Sequence, residues 1–179
     1  MGRLAALCVG LAAPLATFAL ACPAVAEKQI LVSLGQRSLH VVDVDPLKFP
    51  ASLLSAESIL AAVQGTSAHL ASFPVAIGAP ESPTPTGMYS VLQMIKDPTY
   101  YSHSKKVVFP PGPSDPVGTR WMEFLDANSK TFGIHGTAWP QWVHRQAAVS
   151  LGCVRMLNPD VEQVFSMVQL GTPVRITPD

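Results

Sequence analysis

"FGIHGTAWPQWVHRQAAVSLGCVRMLN", residues 132–158, sets a histidine beside one glycine and, a short loop later, a cysteine directly after another. The other two cysteines, Cys8 and Cys22, both lie in the first 22 residues, where the chain reads as an export signal. Once that segment is removed, Cys153 has no partner. In an oxidising compartment paired cysteines become disulfides, and an odd one is either intermolecular or a free reactive thiol. A thiol is a useful nucleophile only as thiolate, which requires a nearby cation, helix N-terminus or general base.

Several such supports stand close by in the chain. Gly152 lets the backbone turn tightly and approach a ligand, so the peptide N–H groups of Gly152 and Cys153 are candidates to face a developing oxyanion. His135 is a candidate to remove the thiol proton, and Gly136, with no side chain, leaves its carbonyl accessible to hold the ring in one tautomer. A free cysteine is commonly a small buried hydrophobe, and a lone histidine is commonly a satisfied strand residue. The case for chemistry is the combination: an exported domain keeps one thiol beside a glycine, with His-Gly-Thr one loop away.

The N-terminus supports export. Arg3 precedes an apolar run from Leu4 to Ala21, and Ala24-Val25-Ala26 then forms a small-residue cleavage site before Glu27. Gly10 and Pro14 interrupt the run, and no charges follow before Glu27, which argues against a membrane anchor. Residues 1–26 are therefore expected to be a secretory signal cleaved after about Ala26. Lipidation at Cys22 is the weaker reading, because Ala19 stands where a large aliphatic is expected. The mature chain, residues 27–179, is expected in the periplasm or cell envelope. Lys plus Arg and Asp plus Glu both count 12, so there is no basic field for nucleic acid.

Along the mature chain, residues 28–44 read as two β-branched runs joined at Gly35-Gln36, a hairpin with one buried face. Residues 55–65 read as a helix, with Ser55 as cap, Ile59, Leu60 and Val63 on one face, and Gly65 as stop. That helix falls in a stretch, residues 46–70, that reads as an insertion. Strands are expected at 72–78, 87–95 and 118–126; Ala127-Asn128-Ser129 then turns into a strand leading to His135. Residues 97–117 hold five of the chain's 17 prolines and little periodicity, and long irregular pieces are often functional. After the cysteine, Asn158 is the expected N-cap and Pro159 the first residue of a helix whose Val161, Val164, Phe165 and Val168 form one stripe, with Gly171 closing it. "TPVRI" (residues 172–176) reads as a last strand. The fold class is mainly β with a few short helices in a single domain.

His135 is followed by fourteen residues, 136–149, and then Ser150-Leu151-Gly152-Cys153-Val154-Arg155. In this the chain resembles the L,D-transpeptidase catalytic domain, or YkuD-type domain, whose motif is H-x(14–17)-[S/T]-x-G-C-x-[R/N]. "ILVSLGQRSLHVV", "FPVAIGAPESPTPTGMYSV", "PVGTRWMEF" and "GTPVRI" resemble that family's successive strands and its T-P-x-G turn, so the likeness covers residues 28–177 apart from the stretch near 46–70. Leu151 departs from the family, many of whose members carry His there.

The resemblance implies a β-sandwich or barrel-like catalytic domain acting on peptidoglycan stem peptides without metal or cofactor. It implies Cys153 as acyl-accepting nucleophile, His135 as base and then acid, and Gly136 as the carbonyl that orients His135. Gly152 and Cys153 would supply oxyanion amides, and Ser150 a supporting hydrogen bond. In an extended segment Arg155 points to the same face as Cys153. It would bind a substrate carboxylate there or form a structural ion pair; both readings stand. Trp121, Tyr100, Tyr101, Trp139 and Trp142 are candidate walls of a peptide groove, and Trp139 and Trp142 stand out because they lie between the two halves of the motif.

The implied reaction is two-step acyl transfer from a tetrapeptide stem. The thioester is resolved by another stem (a 3→3 crosslink), by an envelope protein, or by water (an L,D-carboxypeptidase). A papain-like enzyme has its cysteine before the histidine, and a sortase-like one has the two much farther apart. The reading from another class is a wall-binding domain without catalysis. His40, His69, His103 and His144 are scattered and lack the spacing of a zinc site.

Overall fold

The computed structural model describes residues 27–44, 56–102, 106–112, 114–127 and 130–178. The expected signal segment, the Ser55 cap, the Asn128-Ser129 turn and His103 lie outside these. β1 (Glu27–Ser33) and β2 (Ser38–Val44) form the antiparallel hairpin, in register from Glu27↔Val44 to Ser33↔Ser38. α1 (Ala56–Val63) lays Ile59 and Val63 against Leu31, Val42 and Val44 on the outer face of that hairpin. β3 (His69–Pro74) begins inside the stretch read as an insertion and pairs with β2. The end of that stretch is therefore part of the sheet.

The strand expected at 87–95 is two strands. After β4 (Ile77–Gly78), β5 (Gly87–Ser90) and β6 (Gln93–Lys96) are separated by Val91-Leu92, where the chain crosses from one sheet to the other. Periodicity cannot register such a crossing, because both halves carry the same alternation. The irregular stretch contains a short hairpin, β7 (Tyr100–Ser102) with β8 (Val107–Phe109). β9 (Arg120–Ala127) and β10 (Lys130–His135) follow as an antiparallel pair. The inter-motif segment holds α2 (Pro140–His144), and β11 (Ala148–Ser150) and β12 (Val154–Arg155) flank the cysteine. α3 (Asn158–Met167) and β13 (Pro173–Thr177) end the domain.

One sheet runs β3-β2-β1-β13-β5 and the other β12-β10-β9-β6. Ile30, Val32, Leu39 and Val41 from the first meet Met122, Phe124, Ile134 and Val154 from the second, with Val161 and Val164 of α3 in the same core. Burying one such side chain is worth about 1.5–3 kcal/mol. The result is the β-sandwich with short helices that the sequence implied.

Asn158 differs from its expected role. Leu157 is the N-cap of α3, with extended φ and ψ and no side-chain cap. The Asn158 amide oxygen instead accepts the backbone N–H groups of Thr137, at 3.1 Å, and Thr119, at 3.3 Å. Two loops with unpaired amides compete for this oxygen and take it. The helix ends at Met167, and Gly171, at φ 85°, turns the chain into β13.

Candidate active site

The site is assembled by a parallel pairing that no short stretch of sequence reveals. β10 pairs parallel with β12, placing Ile134 opposite Val154 and His135 opposite Arg155. Cys153, one residue earlier, then falls beside Gly133. The β9–β10 ladder slips at Phe132/Gly133, a β-bulge. Bulges free a backbone group from the ladder and re-aim it, and the Gly133 backbone hydrogen-bonds the sulfur and favours its thiolate. Sequence reasoning missed this group, for which there is no side-chain signal.

His135 is buried, at 3% exposure. Its Nδ1 lies 2.6 Å from the Gly136 carbonyl oxygen. A carbonyl accepts only, so Nδ1 carries the proton and Nε2 is left with the lone pair a base needs. Trp121 stacks on the ring, with centroids 5.5 Å apart and planes at 25°. Burial, and then the charge of Arg155, lower the pKa of His135 to about 4, although the Gly136 and Val117 backbones favour the protonated ring. Gly136 is also tightly enclosed: a Cβ there would overlap the Asn158 amide oxygen.

Cys153 is a free thiol, partly buried. Burial raises its pKa; the Gly133 backbone and the charges of Arg155 and Lys130 act the other way. With the thiol pushed up and the imidazole pushed down, both groups are neutral near pH 7. The sulfur's polar contact is with Gly133 rather than with the ring. Catalytic hydrogen bonds often tighten only when substrate is bound.

The turn before the thiol is shaped by Ser150. Its hydroxyl donates to the Cys153 carbonyl at 2.6 Å and accepts the Gly152 N–H at 3.0 Å. The Gly152 amide expected in an oxyanion hole is therefore engaged within the turn, while the Cys153 N–H has no acceptor among the described residues. Gly152 has φ 113°, and a Cβ on it would come within 2.6 Å of the Phe132 ring. One loop braces this turn from outside, and a second pair of contacts holds the chain ahead of β11. Ser82 donates to the Leu151 carbonyl at 2.9 Å. Arg37 and Gln146 exchange hydrogen bonds, Nη1 to the Gln146 carbonyl at 2.5 Å and Nε2 to the Arg37 carbonyl at 2.9 Å.

His135, Ser150, Cys153 and Arg155 all line one cavity of about 430 Å³. Its aromatic walls are Trp121, Tyr100 and Tyr101. Trp139, a candidate from its place in the motif, is outside the lining and reaches the site only through Arg155, whose guanidinium lies 5.8 Å from its ring centroid. Trp142 is likewise outside, covered by Arg145. Neither indole is among the lining residues, and the irregular stretch, through β7, supplies aromatic walls instead. Asp115, buried, holds the Val117 N–H at 2.8 Å and so fixes the loop beneath the ring.

Arg155 makes no ion pair among the described residues, and its Nε is buried without a partner. Of its two expected roles, the structural ion pair has no acid to form it there. Among the described residues no three His, Cys, Asp or Glu side chains gather as a metal site. His40 and His69, far apart in sequence, do meet: His40 Nδ1 and His69 Nε2 are 3.2 Å apart, with Ser38 Oγ 2.9 Å from His40 Nε2.

In this β-sandwich a buried histidine ends β10 and a free thiol lies just before the parallel strand β12, and both line one cavity. The chain belongs to the L,D-transpeptidase catalytic domain family (YkuD), which it matches over residues 40–176. It is 37% identical over 109 residues to the putative L,D-transpeptidase YqjB of Bacillus subtilis, covering 60% of this chain and 59% of that protein. It is 34% identical over 106 residues to the putative L,D-transpeptidase YkuD of Bacillus licheniformis, covering 59% and 52%. The matches span about half the length of these relatives. The fold is also that of L,D-transpeptidase 3 from Mycobacterium tuberculosis, with TM-score 0.57 and 20% identity over 85% of this chain and 61% of that one.

Proposed function

We propose that this protein is an exported L,D-transpeptidase that acts on peptidoglycan tetrapeptide stems through a Cys153 thioester. The observation that carries the reading is the convergence in one cavity of His135, with its Nδ1 proton committed to Gly136, and a free thiol whose thiolate is favoured by the Gly133 backbone.

As Cys153 Sγ attacks the carbonyl of the L-centre of the diamino acid, His135 Nε2 takes the thiol proton. The Gly136 and Val117 carbonyls stabilise the ring in its protonated form. The negative charge on the carbonyl oxygen is met by the Cys153 amide; Gly152 and Ser150 keep the turn in shape for it. When the tetrahedral intermediate collapses, the C–N bond to D-Ala breaks and His135 returns its proton to the leaving amine. The second half runs in reverse order with an acceptor amine: its nitrogen attacks the thioester, His135 receives its proton, the C–S bond breaks, and the thiol is restored. Arg155, a buried cation without an acid, is suited to a carboxylate of the donor. An amine on a second stem yields a 3→3 crosslink, an amine on an envelope protein a tethered protein, and water a trimmed stem.

The test is mass spectrometry of residues 27–179 incubated with disaccharide-tetrapeptide beside Cys153→Ala. Loss of D-Ala with a dimer mass, absent from the variant, is the expected result; loss of D-Ala alone assigns the carboxypeptidase outcome. No turnover in either sample, with the stem still retained by both proteins, would leave a wall-binding domain instead.

A further inference from the structure

The catalytic cavity is charged in one sense. Lys130 and Arg155 line it and no Asp or Glu does, although the chain carries equal numbers of cations and anions. Among the described residues the ion pairs are those of Arg120 with Asp97 and Glu162, so both cavity cations lack an acid. Lys130 is nevertheless held in place: its Nζ donates to Ser82 Oγ at 3.0 Å and stands 4.8 Å from the centroid of Phe132. The charges of both cations are felt at the sulfur.

The strand register places the two cations on opposite sides of the nucleophile. Arg155 is opposite His135, and Cys153 falls beside Gly133. Lys130 lies three residues before Gly133 on β10, about 10 Å along the strand at about 3.3 Å per residue, and Arg155 lies about 7 Å the other way. An extended peptide spans at most about 3.3–3.6 Å per residue. A donor whose scissile carbonyl sits at Cys153 therefore meets one cation on each side within two or three residues.

Building on the transpeptidase reading, we propose that Lys130, positioned by Ser82, is a receptor for a second free carboxylate of the donor stem, on the side of the scissile bond away from Arg155. The enzyme then discriminates a stem with that carboxylate free from one in which it is amidated. The ligand chemistry is an acidic peptide with carboxylates on both sides of the reacting bond. An ammonium facing a carboxylate gains a charge-assisted hydrogen bond that an amide does not return.

Two measurements test this. The first is kcat/KM for a panel of tetrapeptide stems, each amidated at one carboxylate, with wild type, Lys130→Gln and Ser82→Ala. Wild type is expected to lose at least tenfold on amidation at one position, through KM. Lys130→Gln, which still can donate to Ser82, should lose that preference and keep the one at the carboxylate taken by Arg155. Equal rates for acid and amide stems in wild type overturn the proposal. So does an equal fall in turnover for all stems in both Lys130→Gln and Ser82→Ala, since that marks a role confined to bracing the loop. The second is the ratio of Cys153 alkylation rates by anionic iodoacetate and neutral iodoacetamide, which should fall several-fold in Lys130→Gln. This ratio needs no turnover. If no stem reacts, the transpeptidase reading fails, and the ratio still decides whether Lys130 draws carboxylates to the thiol.

Discussion

His135 should make this protein acid-sensitive by a calculable amount. In the folded state its pKa is lowered from 6.5 to about 4, burial being the larger cause and the charge of Arg155 the second. Between those two values an unfolded chain binds a proton that the native one refuses. Stability therefore rises with pH across this window and is lost as pH falls from 6.5 towards 4. At about 1.36 kcal/mol for each pH unit the loss is about 3 kcal/mol, a large share of the stability of a small domain. The perturbation is His135→Asn, which keeps an N–H donor near the Nδ1 position and removes the titrating ring. The assay is urea unfolding of both proteins at half-unit steps from pH 7.5 to 4. Wild type should converge on the variant, whose own starting stability is lower, by about 3 kcal/mol over this range. His40, lowered by burial and by His69, and Asp115 and Asp160, both raised by burial, titrate in both proteins and cancel in the comparison. Parallel curves would refute the reasoning and mean that the ring takes up its proton as readily in the native state as in the unfolded chain.

Two further outcomes are expected. Because burial dominates at Cys153, the pH profile of iodoacetamide alkylation should have its midpoint above the ordinary thiol value of about 8.5; a midpoint below 7 would reveal a resting thiolate–imidazolium pair. Asn158→Ala should cost about 2–4 kcal/mol by leaving the Thr119 and Thr137 amides without their acceptor, with a fall in kcat as the Gly136 carbonyl loosens its hold on His135; Asn158→Asp, which retains an acceptor, should recover part of both.

What could be read in advance was local. The β1–β2 hairpin and the helix after the cysteine are contained in windows of a few residues, where alternation and turn chemistry suffice, and the His135–Gly136 and Ser150–Arg155 halves of the candidate site stand out through their resemblance to the family motif. What could not be read depends on the pairing of distant strands. Gly133 matters for a backbone hydrogen bond that exists because β9 and β10 slip by one residue. Tyr100 and Tyr101 become cavity walls because an irregular stretch closes into a hairpin, and Trp139, although inside the motif, stands behind Arg155 rather than in the lining. Lys130 carries no local signal, and only the register sets it on the far side of the thiol from Arg155. Asn158 reads in the sequence as an N-cap and serves in the fold as an amide clamp, because both tasks demand the same side chain.

β1 has a consequence for how this domain can be cut and moved. Similarity to the family begins at residue 40, yet β1, at 27–33, is the central strand of its sheet, between β2 and β13. An excised chain starting at residue 40 would withdraw Ile30 and Val32 from the sandwich and Leu31 from under α1, leaving two inner strands with bare edges open to any extended polypeptide. Fusions and domain exchanges should carry the sequence from Glu27 onward, and a tag is better placed after β13.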